Sequence, residues 1–137
     1  MLLFPNKKAE LIFKWHKLKI DIQLADNKAD FYFYEKDVWW ASLGANIGHE
    51  EDGKNERFER PVLILKKFNT HLLLTVPLSS QSKENNKYYY KFLLNHQHSS
   101  AIISQIRIIS SKRLIRKIGH LNKGNFDAIR SQIKQLI

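Results

Sequence analysis

DVWWASLGANIGHEEDGKNERFERPVLIL, residues 37–65, decides the fold. Two apolar runs, 38–43 and 62–65, flank a polar segment. That segment holds Gly48, Gly53 and the ionisable residues His49, Glu50, Glu51, Asp52, Lys54, Glu56, Arg57, Glu59 and Arg60. The runs are rich in β-branched and aromatic residues, which suit a pleated, half-buried surface. They read as two strands joined by a loop of about sixteen residues, and a connection that long in a compact domain is usually functional or disordered. Neighbours in a strand face opposite ways. One of Trp39 and Trp40 therefore enters the core, and the other is expected to lie under a helix or a second subunit, with stacking on a nucleic-acid base as the alternative.

Toward the C-terminus, Arg60 and Pro61 open a strand that runs through Phe68, since a first strand position tolerates proline. Asn69 turns the chain into a strand over 71–78, HLLLTVPL. Both are almost wholly apolar and so are expected at the centre. Residues 79–86 read as a polar loop, 87–94 (KYYYKFLL) as a strand, and 95–99 as a turn into a strand over 100–109, SAIISQIRII. Ser104, Gln105 and Arg107 interrupt that last strand. Burying an amide or a guanidinium without partners is costly, so they are expected at a wet end or in a polar network. Ser110 or Ser111 can cap a short helix, KRLIRKIG, which Gly119 ends. Asn125 is the expected cap of a final helix over 126–137, with Phe126, Ile129, Ile133 and Leu136 on one face.

Toward the N-terminus, FYFY at 31–34 is aromatic and β-prone. Residues 6–18 read as an amphipathic helix with Leu11, Ile12, Trp15 and Leu18 on one face and lysines opposite. Residues 19–30 lose the pattern and read as a linker or extended arm. The expected architecture is mainly β with α: five strands in a small curled antiparallel sheet or barrel, with helices at the ends.

A chain of 137 residues suits one domain with one core. No apolar run approaches the ~20 residues of a membrane span, and MLLFPNKK is too short for a secretory signal. Without cysteine there is no disulfide frame, thiolate nucleophile or thiolate metal site. A soluble, cytoplasmic protein is expected. The formal charge of +10 favours encounter with polyanions, either nucleic acid or an acidic protein.

No P-loop, H-E-x-x-H or nucleophile elbow occurs. His96 and His98 form an isolated H-x-H, and no metal or cofactor is expected. The charged loop is richer. RNA carries its own nucleophile, the 2′-hydroxyl. Turning it on the adjacent phosphate requires a proton acceptor, a proton donor and groups that hold the phosphorane charge. Arginine suits the last task, because its planar fork pairs with phosphate oxygens and stays charged. A glutamate, a histidine and an arginine on one loop supply these types; a merely solvated charged loop is the alternative.

Four segments resemble the PemK/MazF-type toxins of bacterial toxin–antitoxin systems, in order over 37–121. DVWWASLGANIGHE resembles that family's opening strand and Gly-x-Glu loop, and ERPVLIL its Arg-Pro-Val strand. VPLSSQSK resembles its V-P-[LVIC]-[ST]-x-Q-type strand end, and SAIISQIRIISSKRLIRKIG its Gln-x-Arg strand and following helix. The resemblance implies an SH3-like β-barrel, a homodimer, and metal-independent endoribonuclease action on single-stranded mRNA. The products would be a 2′,3′-cyclic phosphate and a 5′-hydroxyl, and an acidic antitoxin would block the RNA groove. It implies catalytic roles for Arg60, which stabilises charge or donates a proton, Ser79, which orients the phosphate or 2′-hydroxyl, and Glu50 or His49, which handles the proton. Gln105 matches the late-strand glutamine that lines the family's groove, and Lys54, Gln81 and Arg107 are further candidates for holding RNA. The Arg-x-Asp acid–base pair of some members is absent, since Ile102 and Ser104 stand there. Residues 36–137 form the implied toxin domain and 1–35 an N-terminal arm packed on it. Two rivals remain: a gyrase-poisoning toxin of the same fold, and a basic nucleic-acid-binding module without activity.

Overall fold

A computed structural model describes residues 4–26, 32–81 and 86–137. The chain runs α1 (Lys7–Leu24), β1 (Asp37–Ser42), β2 (Glu59–Lys67), β3 (Leu72–Ser79), β4 (Tyr89–Leu94), β5 (Gln97–Ile102), β6 (Arg107–Ser110), β7 (Leu114–His120) and α2 (Lys123–Leu136). All strand pairs are antiparallel. The order is β4-β5-β3-β2-β1-β7, and β6 joins β3 along the edge that β5 leaves free. This curled seven-stranded sheet is a half-barrel with two helices. Among the described residues, no helix is long and apolar enough to cross a membrane.

The unbroken apolar run of β2 follows from burial on both faces. Leu63 and Leu65 join Val38, Val76, Phe92 and Ile103 in one core, which Phe126 and Ile129 of α2 cover. Val62 and Ile64 join Trp39, Leu43, Leu73 and Phe33 in a second core on the other face. Trp39 is buried, while Trp40 is half-buried with the Arg116 guanidinium 5.0 Å from its ring centroid. The predicted opposition of the two tryptophans holds, and a basic side chain from β7 covers the outer one.

Several expectations need correction. KRLIRKIG is no helix: a 3₁₀ turn over Ser111–Arg113 leads into β7, which pairs with β1. Its Lys, Arg and Leu content suits a helix, but β1 would otherwise be an open sheet edge with its ladder groups unmade. Two register shifts in the β1–β7 ladder accommodate a sequence that does not alternate strictly. Residues 100–109 are not one strand, because a 3₁₀ turn over Ile103–Gln105 divides β5 from β6. β5 starts earlier than expected, after a two-residue turn in which Asn95 and His96 have φ of 50° and 66°. Positive φ at both central residues suits the right-handed twist of a hairpin. Helix α1 continues to Leu24, through residues expected to form a linker; residues 27–30 of that segment lie outside the described residues. Tyr32, Phe33 and Tyr34 form no strand, although Phe33 is fully buried; Phe31 lies outside the described residues. Asn122 caps α2 and accepts a hydrogen bond from the Asn125 N–H, the residue expected to be the cap.

The arm is docked by its predicted apolar face. Trp15 is 4% exposed and packs with Ala45 and Phe58, flanked by Leu11, Ile12 and Leu18. Gly44 makes this possible: its φ is +92°, and a Cβ there would lie 2.2 Å from Trp15 Cε2.

Asp37, only 1% exposed, ties the start of β1 to the end of β7. Its carboxylate accepts from the Tyr34 N–H (3.0 Å) and Trp39 Nε1 (3.3 Å) and meets Lys117 Nζ (3.2 Å) and His120 Nδ1 (3.1 Å). Burial raises the carboxyl, but bonds from His120, Tyr34, Trp39 and Lys117 outweigh it and hold the carboxyl below its ordinary value. A depressed folded value means the stabilisation is fully present above about pH 4, the range of a free aspartate. It is lost as pH falls through the folded value. Asp37→Asn should lower the unfolding free energy at pH 7 by about 1–3 kcal/mol and flatten its decline in acid. Denaturant titrations at stepped pH measure both.

Candidate functional site

Three segments converge at one end of the half-barrel: the loop after β1, the start of β2 and the end of β3. The β2–β3 register pairs Val62 with Pro77; continued by two residues, it sets Arg60 opposite Ser79. Arg60 has a side chain only 13% exposed and is satisfied on three sides. Its Nε donates to the Asp52 carbonyl (2.7 Å) and one terminal nitrogen donates to the Leu78 carbonyl (3.0 Å). The other terminal nitrogen lies 3.0 Å from Glu51 Oε2. Arg60, Glu51, Ser79, Lys54, Gln81 and Tyr89 line one cavity of about 270 Å³. A neighbouring cavity of about 300 Å³ shares Lys54, Arg60 and Ser79 and adds Trp40, Pro61 and His98. Together they form a groove. The Ser79 hydroxyl accepts from the Gln81 N–H (3.1 Å), which also sets the turn out of β3.

The loop is folded, not merely solvated. The Leu43 and Gly44 N–H groups both donate to the Phe58 carbonyl, at 2.9 and 3.2 Å, and Gly53 N–H donates to the Gly44 carbonyl at 2.8 Å. Lys54 and Glu59 form a two-bond bridge across its neck. At Gly53 a Cβ would fall 1.7 Å from the Phe58 carbonyl oxygen, so glycine is required there by close backbone approach. Gln105 fastens the loop from the opposite side. Its Oε1 accepts from the Glu51 N–H (2.7 Å) and its Nε2 donates to the His49 carbonyl (3.1 Å).

The structure thus divides the expected site residues. Arg60, Ser79, Lys54 and Gln81 share the first cavity. His49, Glu50, Gln105 and Arg107 line another, of about 550 Å³, on the far side of Glu51. Glu50 is exposed, and its carboxylate accepts from the Ile47 N–H (2.9 Å) within a turn. The acid on Arg60 is the next residue, Glu51, which lines both cavities. Glu51 and Asp52 were not among the expected site residues. The run Glu50-Glu51-Asp52 shows that an acid is available there, but the choice depends on turn geometry. Among the described residues, no group of three or more His, Asp and Glu is arranged to hold a metal ion.

The family model for the PemK-like, MazF-like toxin of type II toxin–antitoxin systems matches residues 34–137. No curated protein matches the sequence. Among solved structures, MazF from Deinococcus radiodurans superposes with a TM-score of 0.65 at 16% identity, over 78% of this chain and 97% of that one. An endoribonuclease in complex with its cognate antitoxin, from a mycobacterial species, gives 0.59 at 12% identity, over 76% and 93%. A MazE–MazF complex from Deinococcus radiodurans gives 0.59 at 14% identity, over 78% and 96%. At these identities the likeness is one of fold.

The Gln105 clamp has a direct readout. Gln105→Ala removes the acceptor of the Glu51 N–H, so exchange of that amide with solvent should accelerate at least about ten-fold through local opening. The β2 amides should stay protected. Residue-resolved hydrogen exchange distinguishes the two.

Proposed function

The chain belongs to the PemK/MazF toxin family, and on that premise we propose that it is a metal-independent endoribonuclease that cleaves single-stranded mRNA in the groove beside Arg60. The observation that carries the reading is the Arg60–Glu51 contact in a cavity shared with Ser79 and Lys54. A carboxylate to accept a proton, a fixed guanidinium and a free ammonium lie together where a phosphodiester can enter. The backbone carbonyls on Arg60 hold its fork in place, so little reorganisation is needed when charge develops.

In the proposed reaction Glu51 takes the proton of the ribose 2′-hydroxyl. The 2′-oxygen attacks the adjacent phosphorus, the bond from phosphorus to the 5′-oxygen breaks, and a 2′,3′-cyclic phosphate and a 5′-hydroxyl result. Arg60 stabilises the charge on the phosphorane oxygens with its two remaining N–H groups. Ser79 donates a hydrogen bond to a phosphate oxygen. Lys54, exposed on the lip, returns a proton to the leaving 5′-oxygen. Gln81 contacts the nucleotide in the same cavity. His49, Glu50 and Arg107 hold the flanking nucleotide in the second cavity, and Gln105 keeps the intervening loop in place. Glu51 therefore replaces Glu50 as the proposed base: it is the carboxylate that touches Arg60, whereas Glu50 is engaged by its own turn.

The protein is further proposed to act in the cytoplasm as a homodimer, restrained by an acidic antitoxin. The net charge of +10 and the antitoxin complexes among its structural relatives support that partner. Residues 36–137 are proposed as the toxin domain and 1–35 as an added arm.

Purified protein should cut a mixed RNA in the presence of EDTA and leave cyclic phosphate ends. Arg60→Ala should slow single-turnover cleavage by about 10²–10³-fold, the usual loss for an oxyanion-stabilising group. Glu51→Gln should slow it by about 10²–10⁴-fold, as for a general base, and Glu50→Gln much less. Intact RNA would overturn the reading; binding without cleavage would leave a nucleic-acid-binding module in its place.

A further inference from the structure

We propose that α1, which lies outside the residues matched by the family model, is a working part of the site, with Lys8 as a positioning residue that acts through Asp52 on the Arg60–Glu51 pair. Its kinetic consequence rests on the RNA-cleavage reading; its geometry does not.

Asp52 is the junction. Lys8 Nζ forms an ion pair with the Asp52 carboxylate, across 44 residues of sequence. The other carboxylate oxygen accepts from the Asn46 N–H at 2.6 Å. The Asn46 amide group in turn donates to the carbonyls of Leu43 (3.2 Å) and Glu51 (2.8 Å). The Asp52 carbonyl holds Arg60 Nε at 2.7 Å. One residue thus joins the arm, both limbs of the loop and the proposed catalytic arginine, and its chain neighbour is the proposed base.

The helix is registered to make that contact. Asn6 caps it by accepting from the Ala9 N–H, which puts Lys8 in the first turn. Trp15, two turns further on and therefore on the same face, is the buried anchor. Its ring lies 5.7 Å from Phe58 and 5.6 Å from the Arg113 guanidinium, against the bare backbone of Gly44. Trp15 supplies the docking energy. The Lys8–Asp52 pair is about a third exposed on both sides, and such pairs contribute little to stability. Its contribution is to the placement of Asp52, and through it of Arg60 and Glu51.

The test follows the Arg60 Nε–H resonance and RNA cleavage kinetics in the full-length chain. Lys8→Ala should shift or broaden that resonance and lower kcat about ten-fold with KM within about two-fold, since misplacement acts on the chemical step. Lys8→Arg should restore both, and melting temperature should match wild type throughout. Asp52→Asn should reproduce the loss, and Lys8→Ala added to it should cost nothing more. An unchanged Nε–H signal in Lys8→Ala overturns the proposal. A rise in KM alone, or additive losses with Asp52→Asn, also overturns it and makes Lys8 a direct RNA contact. If the wild-type protein leaves RNA intact while the resonance still responds, the cleavage reading fails and the positioning role stands.

Discussion

The Arg60 guanidinium sets the terms for everything around it. A cation with a side chain only 13% exposed is tolerable only when its donors find acceptors. Here the three acceptors come from two places in sequence: the Glu51 carboxylate and the Asp52 carbonyl of the loop, and the Leu78 carbonyl of β3. That requirement pulls the loop against the ends of β2 and β3. It explains why so polar a segment has a defined path. A lysine could not do the same, because one ammonium cannot present three donors to acceptors fanned across a plane. The loop then needs fastening on its other side, and Gln105 supplies it at the 3₁₀ turn that interrupts the last apolar run.

That turn shows how far the fold was legible in the sequence. The strands on either side of the charged loop, the following hairpin and the apolar faces of both helices follow from local pattern, because side-chain period and burial agree there. The break at Ile103–Gln105 does not, since Ile102, Ile103, Ile106 and Ile109 suit a continuous strand. What ends it is tertiary: β3 pairs with β5 near Leu78 and with β6 from Leu72 to Thr75, and one straight strand does not serve both. β7 forms a strand where the local pattern suits a helix, for the same kind of reason. Its sequence suits either state, and the vacant edge of β1 decides.

The site was legible in its composition and not in its pairing. Arg60 and Ser79 are placed by strand register, which a sequence conveys through the Arg-Pro and Val-Pro boundaries of β2 and β3. Glu50 and Glu51 differ by one residue, and a one-residue difference in a turn reverses which carboxylate faces the groove. The Glu50 carboxylate closes a turn on Ile47, and Glu51 is left to meet Arg60. Resemblance to a family carries an alignment column, whereas the physical choice rests on hydrogen bonds made by Asn46 and Gln105 to the intervening backbone.

Two carboxylates in this chain show how environment separates structure from chemistry. Asp37 is almost fully buried, and four donors surround it, two of them from β7. With its lone pairs spoken for and its proton affinity depressed, it has no capacity to accept a proton from a substrate; it closes the sheet. The Glu51 side chain is 24% exposed, meets one cation, and borders two cavities. In the proposed reaction the oxygen turned from Arg60 is the one that meets the entering hydroxyl, while the ion pair fixes the direction it presents. A carboxylate held on one side and open on the other suits the proposed transfer of a proton from a bound ribose 2′-hydroxyl. The glycines, the Asn46 cross-ties and the docking against α1 give this charged loop the fixed path that presents Glu51 in that way.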